Sequence, residues 1–103
     1  MMYTIIISES ARLDLRNIFE YIANQLQVPR AAKDITRLIL SKIDGLKSMP
    51  TLYKIYPQEP LRSKNIRYIP VKKYIVFYKV IDEIKTVVIS RIMYGGQDIR
   101  NQF

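Results

Sequence analysis

SESARLDLRNIFEYIANQLQVPRAAKDITRLILSKIDGL, residues 8–46, is the stretch on which the architecture of this 103-residue chain turns. Ala11, Leu15, Ile18, Ile22 and Leu26 recur at i, i+4, i+7, i+11 and i+15, one face of a helix with a period near 3.6. Ser8 suits the N-cap, and Glu9 puts a carboxylate in the first turn, where the helix dipole favours it. Arg12 and Arg16 lie at three- and four-residue spacing from Glu9 or Glu20 and support the exposed side. Pro29 interrupts the stripe and suits the first turn of a second helix, with Ala32, Ile35, Ile39, Ile43 and Leu46 on its apolar face. Two such helices joined by a short connection form a hairpin, closed by Met49 and Pro50. One apolar face per helix must be buried, and the flanking sequence supplies the surface.

On the N-terminal side, residues 2–7 (MYTIII) are β-branched and aromatic and read as one short strand. On the C-terminal side, residues 51–65 carry Pro57 and Pro60 and no sustained period, and read as a connecting loop of functional length. Arg67–Val71, Tyr74–Ile81 and Thr86–Met93 follow as β-rich runs separated by Lys72-Lys73 and Asp82-Glu83, a three-stranded antiparallel meander ended by Gly95-Gly96. Strand, helix, helix and three strands predict an α+β two-layer sandwich, with the first strand joining the meander because it cannot satisfy its backbone groups alone. Leu15, Ile18, Ile22, Ile35, Ile39, Val76 and Ile89 are the expected core. Residues 1–103 are expected to form a single domain.

The chain has no Cys, His or Trp. Disulfides, thiolate nucleophiles and Cys-ligated zinc are thereby excluded, and any catalysis must use Lys, Arg, Tyr or carboxylates. Asp14 and Asp34 stand alone on their helices and read as surface residues, so no metal and no cofactor is expected. No apolar run approaches the 18 or so residues of a membrane span, and the N-terminus lacks a basic segment and cleavage site. The expectation is a soluble, cytoplasmic protein.

The net charge is +8. Residues 1–50 carry 7 basic and 5 acidic groups, residues 51–103 carry 10 and 4, so the excess rises from +2 to +6 along the chain. Such a domain attracts nucleic acid, nucleoprotein or an acidic protein. The densest cluster is Lys54, Arg62, Lys64, Arg67, Lys72 and Lys73 against the single acid Glu59, interleaved with Tyr53, Tyr56, Tyr68 and Tyr74. Cations for phosphates and rings for bases suit a single-stranded nucleic acid; a solvated loop beside a protected sheet edge is the plainer alternative. For Arg91 a structural ion pair with a tail or helix carboxylate such as Asp98 or Asp14 stands beside a phosphate contact as the alternative, and for Tyr94 a half-buried strand end. Tyr74 and Tyr78 share a face with Val76 and read as core or groove wall.

Ala11-x-x-Asp14-Leu15, the Tyr21-Ile22-Ala23 helix end, Arg67-x-x-x-Val71-x-x-Tyr74-x-Val76-x-Tyr78 and Val88-Ile89-x-Arg91-Ile92-x-Tyr94-Gly95-x-x-Asp98 follow one another in an order and spacing that resemble the RelE/ParE superfamily of toxins from bacterial type II toxin-antitoxin systems. The resemblance runs almost end to end. It implies a toxin neutralised by a cognate antitoxin, an acidic and partly disordered partner that would fold as it binds. RelE-like members cleave mRNA on the ribosome and ParE-like members poison DNA gyrase. Where the nuclease pattern has a phosphate-holding arginine, this chain has Ile75, and where ParE usually has a His before the glycine it has Tyr94.

The helical opening and the Arg91 to Gly95 ending resemble ParE more closely, which implies gyrase inhibition by protein contact. The basic loop and tail (Lys54, Arg62, Lys64, Lys73, Arg100 and Phe103) then become the target-binding candidates, beside Arg91 and Tyr94. The alternative is a ribosome-dependent mRNA endonuclease in which Arg67 and Arg91 hold the phosphate and Lys72 or Tyr94 moves the proton. That asks a group of pKa near 10 to fall by about three units, roughly 4 kcal/mol. A non-toxic nucleic-acid-binding module is the remaining alternative.

Overall fold

A computed structural model describes residues 2–103, the side chain of Arg100 excepted. Strand β1 (Thr4–Ile7) leads into helix α1 (Glu9–Glu20), a π-helical turn (Tyr21–Gln25) and helix α2 (Pro29–Asp44). Strands β2 (Arg67–Val71), β3 (Tyr74–Ile81) and β4 (Thr86–Tyr94) complete the order, with a short 3-10 turn at Ile99–Gln102. The sheet runs β1-β4-β3-β2, antiparallel within the meander and parallel between β1 and β4. The expected α+β fold, with β1 joined to the meander, is present.

Local chemistry explains the joints. The Ser8 hydroxyl accepts from the Ala11 N–H at 3.0 Å as N-cap and donates to the Ser90 carbonyl at 2.9 Å, fastening the start of α1 to β4. Pro29 opens α2. Arg16 pairs with Glu20 at 3.1 Å, whereas Arg12 turns back and donates to the Ile7 carbonyl at 3.3 Å.

The helix-facing core gathers Ile18, Ile22, Ile39, Val76 and Ile89 as expected, with Ile43, Leu46, Ile69 and Tyr78. Leu15 and Ile35 flank it half-buried instead of lying within it. Leu26 departs further, at 52% exposed. It follows the π-helical turn, whose wider winding carries the chain off the 3.6-residue period on which the stripe was extended. The sheet's other face is not open: Leu61, Ile66, Phe77, Met93 and Ile99 form a second apolar cluster there, flanked by Tyr56, Tyr68 and Phe103. The 51–65 loop and the C-terminal turn thus cover the sheet opposite the helices, an outer cover added to the expected two layers of helices on sheet.

Tyr78 is fully buried, and its hydroxyl donates to the Pro50 carbonyl at 2.8 Å. Burial pushes its phenol up to about 12. The folded chain therefore holds this proton to higher pH than the unfolded chain, so the associated stability is complete below pH 10 and is lost as pH rises through 12. Two units correspond to at most about 2.7 kcal/mol. In urea unfolding between pH 9 and 12, the wild type is expected to lose stability more steeply than Tyr78→Phe; parallel curves would contradict this.

Candidate functional site

β1 has 4 residues and β4 has 9, and their pairing ends at Ile7 opposite Ile89. Past that point one side of β4 has no strand beside it, and α1 closes over the space obliquely. The result is an open cleft of about 750 Å³ with Asp14, Asn17, Ile18, Tyr21 and Leu26 on the helix side and Lys73, Tyr74, Arg91, Ile92, Tyr94 and Gln97 on the sheet side.

Backbone donors that a neighbouring strand would satisfy are taken by side chains. The Asp14 carboxylate accepts from the Ile92 N–H at 2.9 Å, and the Gln97 side-chain oxygen accepts from the Tyr94 N–H at 2.9 Å. Asp14 also holds Arg91 in a two-point pair at 2.7 and 2.9 Å, with both side chains largely buried at 14% and 24% exposure. This corrects the expectation of Asp14 as a surface residue. The reason lies in β4: Phe77 opposes Arg91 but Tyr78 opposes Ile89, so Ser90 is an extra, bulged residue. The bulge returns Ile92 to the helix-facing core and leaves Arg91 at the strand's open edge, within reach of α1. The Asp14 hydrogen bond pushes the Arg91 guanidinium above its ordinary range, and the carbonyl of Gln102 lies 3.5 Å from it on the far side.

Three tyrosines converge on the cleft. Tyr74 and Tyr94 meet edge-to-face with ring centres 6.1 Å apart. Burial, reinforced by Tyr21 and Tyr94 nearby, raises the Tyr74 phenol above its ordinary value. Tyr94 is half exposed.

The sequence candidates divide. Lys73, Arg91 and Tyr94 share the cleft, and Lys72 sits beside it, exposed in the β2–β3 turn at φ 56°. Arg67 lies apart, four residues from Val71 along β2, roughly 13 Å at strand rise. Its guanidinium donates to the Tyr53 carbonyl at 2.6 Å. Lys54 and Lys64 are exposed on the loop, while Arg62 pairs with Glu59 at 3.2 Å. Glu59 is pulled below its ordinary range chiefly by the Ser63 hydroxyl and N–H. Phe103 packs edge-on against Phe77 at 5.3 Å, and Tyr56 and Tyr68 line the same cluster, so these rings serve the outer layer. Arg100 was a candidate whose side chain lies outside the described residues. Sequence reasoning missed Asn17, Tyr21 and Gln97. Asp14, Asn17 and Tyr21 follow i, i+3, i+7, and that polar stripe beside the apolar one was the available signal.

A second surface flanks β1. Hollows of about 770 Å³ and 320 Å³ meet at Ile7 and Arg12, the first against Leu40, Ile43 and Lys47, the second against Leu15, Arg16, Phe19 and Thr36. Together they form a groove along the sheet edge and across the helix hairpin. Ile6 and Leu40 stand 49% and 42% exposed beside it. Among the described residues no three Asp or Glu side chains gather as metal ligands, and no helix is long and apolar enough to cross a membrane.

The fold of helix hairpin and mixed four-stranded sheet is shared with solved structures of toxin-antitoxin proteins. The chain is similar to the chromosomal ParDE system of P. aeruginosa (TM-score 0.73, 20% identity, 90% of this chain and 96% of that one). It is also similar to the RelBE2 toxin-antitoxin complex of Mycobacterium tuberculosis (0.63, 23%, 91% and 92%) and to a mutant E. coli toxin RelE in the free state (0.68, 15%, 99% and 93%). No curated protein sequence matches it. Within the superfamily, residues 5–99 match the family described as ParE toxin of type II toxin-antitoxin system, parDE, and the chain belongs to that family.

Proposed function

We propose that this toxin inhibits DNA gyrase by direct protein contact, using the cleft together with the exposed loop cations Lys54, Lys64, Lys72 and Lys73. The observation that carries this reading is the engagement of both arginines a scissile phosphate would need. Arg91 is held by Asp14, and Arg67 by the Tyr53 carbonyl. A binding surface needs neither free arginines nor a base.

The reading takes residues 1–103 as one toxin domain acting in the cytoplasm, neutralised by a cognate antitoxin seated in the β1 groove. That groove offers an unpaired strand edge and exposed apolar side chains, Ile6 and Leu40 among them, which suits a segment that orders on binding, and the net charge of +8 favours an acidic one. The convergence of Lys73, Arg91 and Tyr94 in one cleft favours a second reading, a ribosome-dependent mRNA endonuclease.

Induction of the chain, read by supercoiling with purified gyrase and by mapping cellular mRNA ends, separates the two. Blocked supercoiling with intact mRNA is the expected result, and co-expression of a neighbouring short reading frame of antitoxin character is expected to restore growth. Codon-phased mRNA cleavage with normal supercoiling would establish the nuclease instead.

A further inference from the structure

We propose that the outward stripe of α2 formed by Arg30, Lys33 and Arg37 binds the phosphodiester backbone of a double-stranded nucleic acid, at a site separate from the cleft and from the loop cations. The three follow i, i+3, i+7 on one helix face and line a single shallow hollow of about 320 Å³ with Pro29 and Asp34. All three are exposed. Along a helix they span roughly 10.5 Å. One strand of a duplex carries a phosphate about every 3.4 Å of its axis, so this length meets about three.

The fold does not use these cations, as it does not use Lys54, Lys64, Lys72 or Lys73; what sets them apart is that one helix holds all three on a single exposed face. Among the described residues, Arg16, Lys47, Arg62 and Arg91 are paired with carboxylates, and Arg12 and Arg67 donate to backbone carbonyls. Arg30, Lys33 and Arg37 join none of these ion pairs, and Asp34 in the same hollow pairs with no cation either, leaving the hollow at +2. Like charges at helical spacing repel one another, and a polyanion relieves that repulsion. The helix holds them in fixed register, so little side-chain ordering beyond their own rotamers is needed on binding.

The ligand class follows from what the hollow lacks. Its lining contains no aromatic ring, whereas single-strand sites stack unpaired bases on aromatics. Contact is then through phosphates, independent of sequence, as on the outside of a duplex. The site does not depend on the gyrase reading.

Fluorescence anisotropy of a labelled duplex of about 20 base pairs, titrated with the full chain between 50 and 200 mM salt, tests it. The variant Arg30→Ala/Lys33→Ala/Arg37→Ala is expected to fold, by circular dichroism and urea unfolding, because all three positions are exposed. It is expected to bind at least tenfold more weakly at 50 mM salt, and the slope of log affinity against log salt should flatten by about 2.7, at 0.9 per phosphate lost. The loop variant Lys54→Ala/Lys64→Ala/Lys72→Ala is expected to flatten it less. DNA and RNA duplexes of one sequence identify which backbone is preferred, and binding of either supports the site. Absence of duplex binding at 50 mM salt, an unchanged slope in the α2 variant, or equal binding of a single strand or of polyglutamate would overturn it.

Discussion

Replacing Asp14 by Ala is expected to cost about 3–4 kcal/mol of folding stability, more than any other single polar substitution in this chain. Its carboxylate holds Arg91 at two points and accepts the Ile92 N–H, so one substitution leaves a largely buried cation and a backbone donor without partners. Breaking one side of a buried pair costs about 3–5 kcal/mol, and the residual exposure of both groups places this case at the lower end. Asp14→Asn keeps an acceptor for Ile92 and should lose about half as much. Asp14→Ala/Arg91→Met removes the orphaned charge and should recover part of the loss. Urea unfolding of the four proteins measures this, and a loss under about 1 kcal/mol for Asp14→Ala would show that the pair contributes only as a solvated one does.

Phe77→Ala carries the other large effect, about 3–5 kcal/mol. Phe77 is fully buried, but on the sheet face opposite the helices, where Tyr56 and Phe103 lie edge-on to it at 5.5 and 5.3 Å. Its truncation opens a cavity beneath the 51–65 loop and the C-terminal turn. The Tyr56 and Tyr68 amides, which bond to Ile66 and Lys54 carbonyls, should exchange with solvent faster than in the wild type. Val76→Ala, one residue away on the helix-facing side, should destabilise the fold while leaving the relative protection of those two amides unchanged. Equal loosening of the loop in both variants would mean that the outer cluster does not hold it. If the loop cations contact the target, Phe77→Ala should also weaken inhibition without touching a charge.

The element order was legible in the sequence because it rests on periodicity. Ile18, Ile22 and Ile39 recur at helical spacing, and the β-rich runs lie between short polar breaks. The outer layer was not read, although Tyr74 to Ile81 gives a hint: an almost unbroken apolar run belongs to a strand covered on both faces, and Phe77 faces away from Val76 and Tyr78. Leu26 was misplaced because a π-helical turn leaves no mark in apolar spacing. The cleft was only half legible. Lys73, Arg91 and Tyr94 were singled out by charge and chemistry, but Asp14 became part of it through a one-residue bulge at Ser90. Strict alternation along Val87, Ile89, Arg91 and Met93 would have sent Arg91 into the core. No local pattern announces a bulge, and its effect is felt 77 residues away in sequence.

The parallel pairing of β1 with β4 gives this toxin a built-in delay during its synthesis. Ser8 and Ser90, joined by a hydrogen bond, are separated by 82 residues, and among the described residues β1 has β4 as its only strand neighbour. A nascent chain that has released the helix hairpin therefore still has nowhere to dock its first strand. Closing so long a loop early is entropically uphill, and the contacts that offset it come only once β4 has been made. The cleft, too, takes Arg91, Ile92, Tyr94 and Gln97 from β4 and the turn beyond it. Until β4 has been translated and has paired, neither the partner of β1 nor that wall of the cleft exists, so the fold is completed late in the synthesis of these residues.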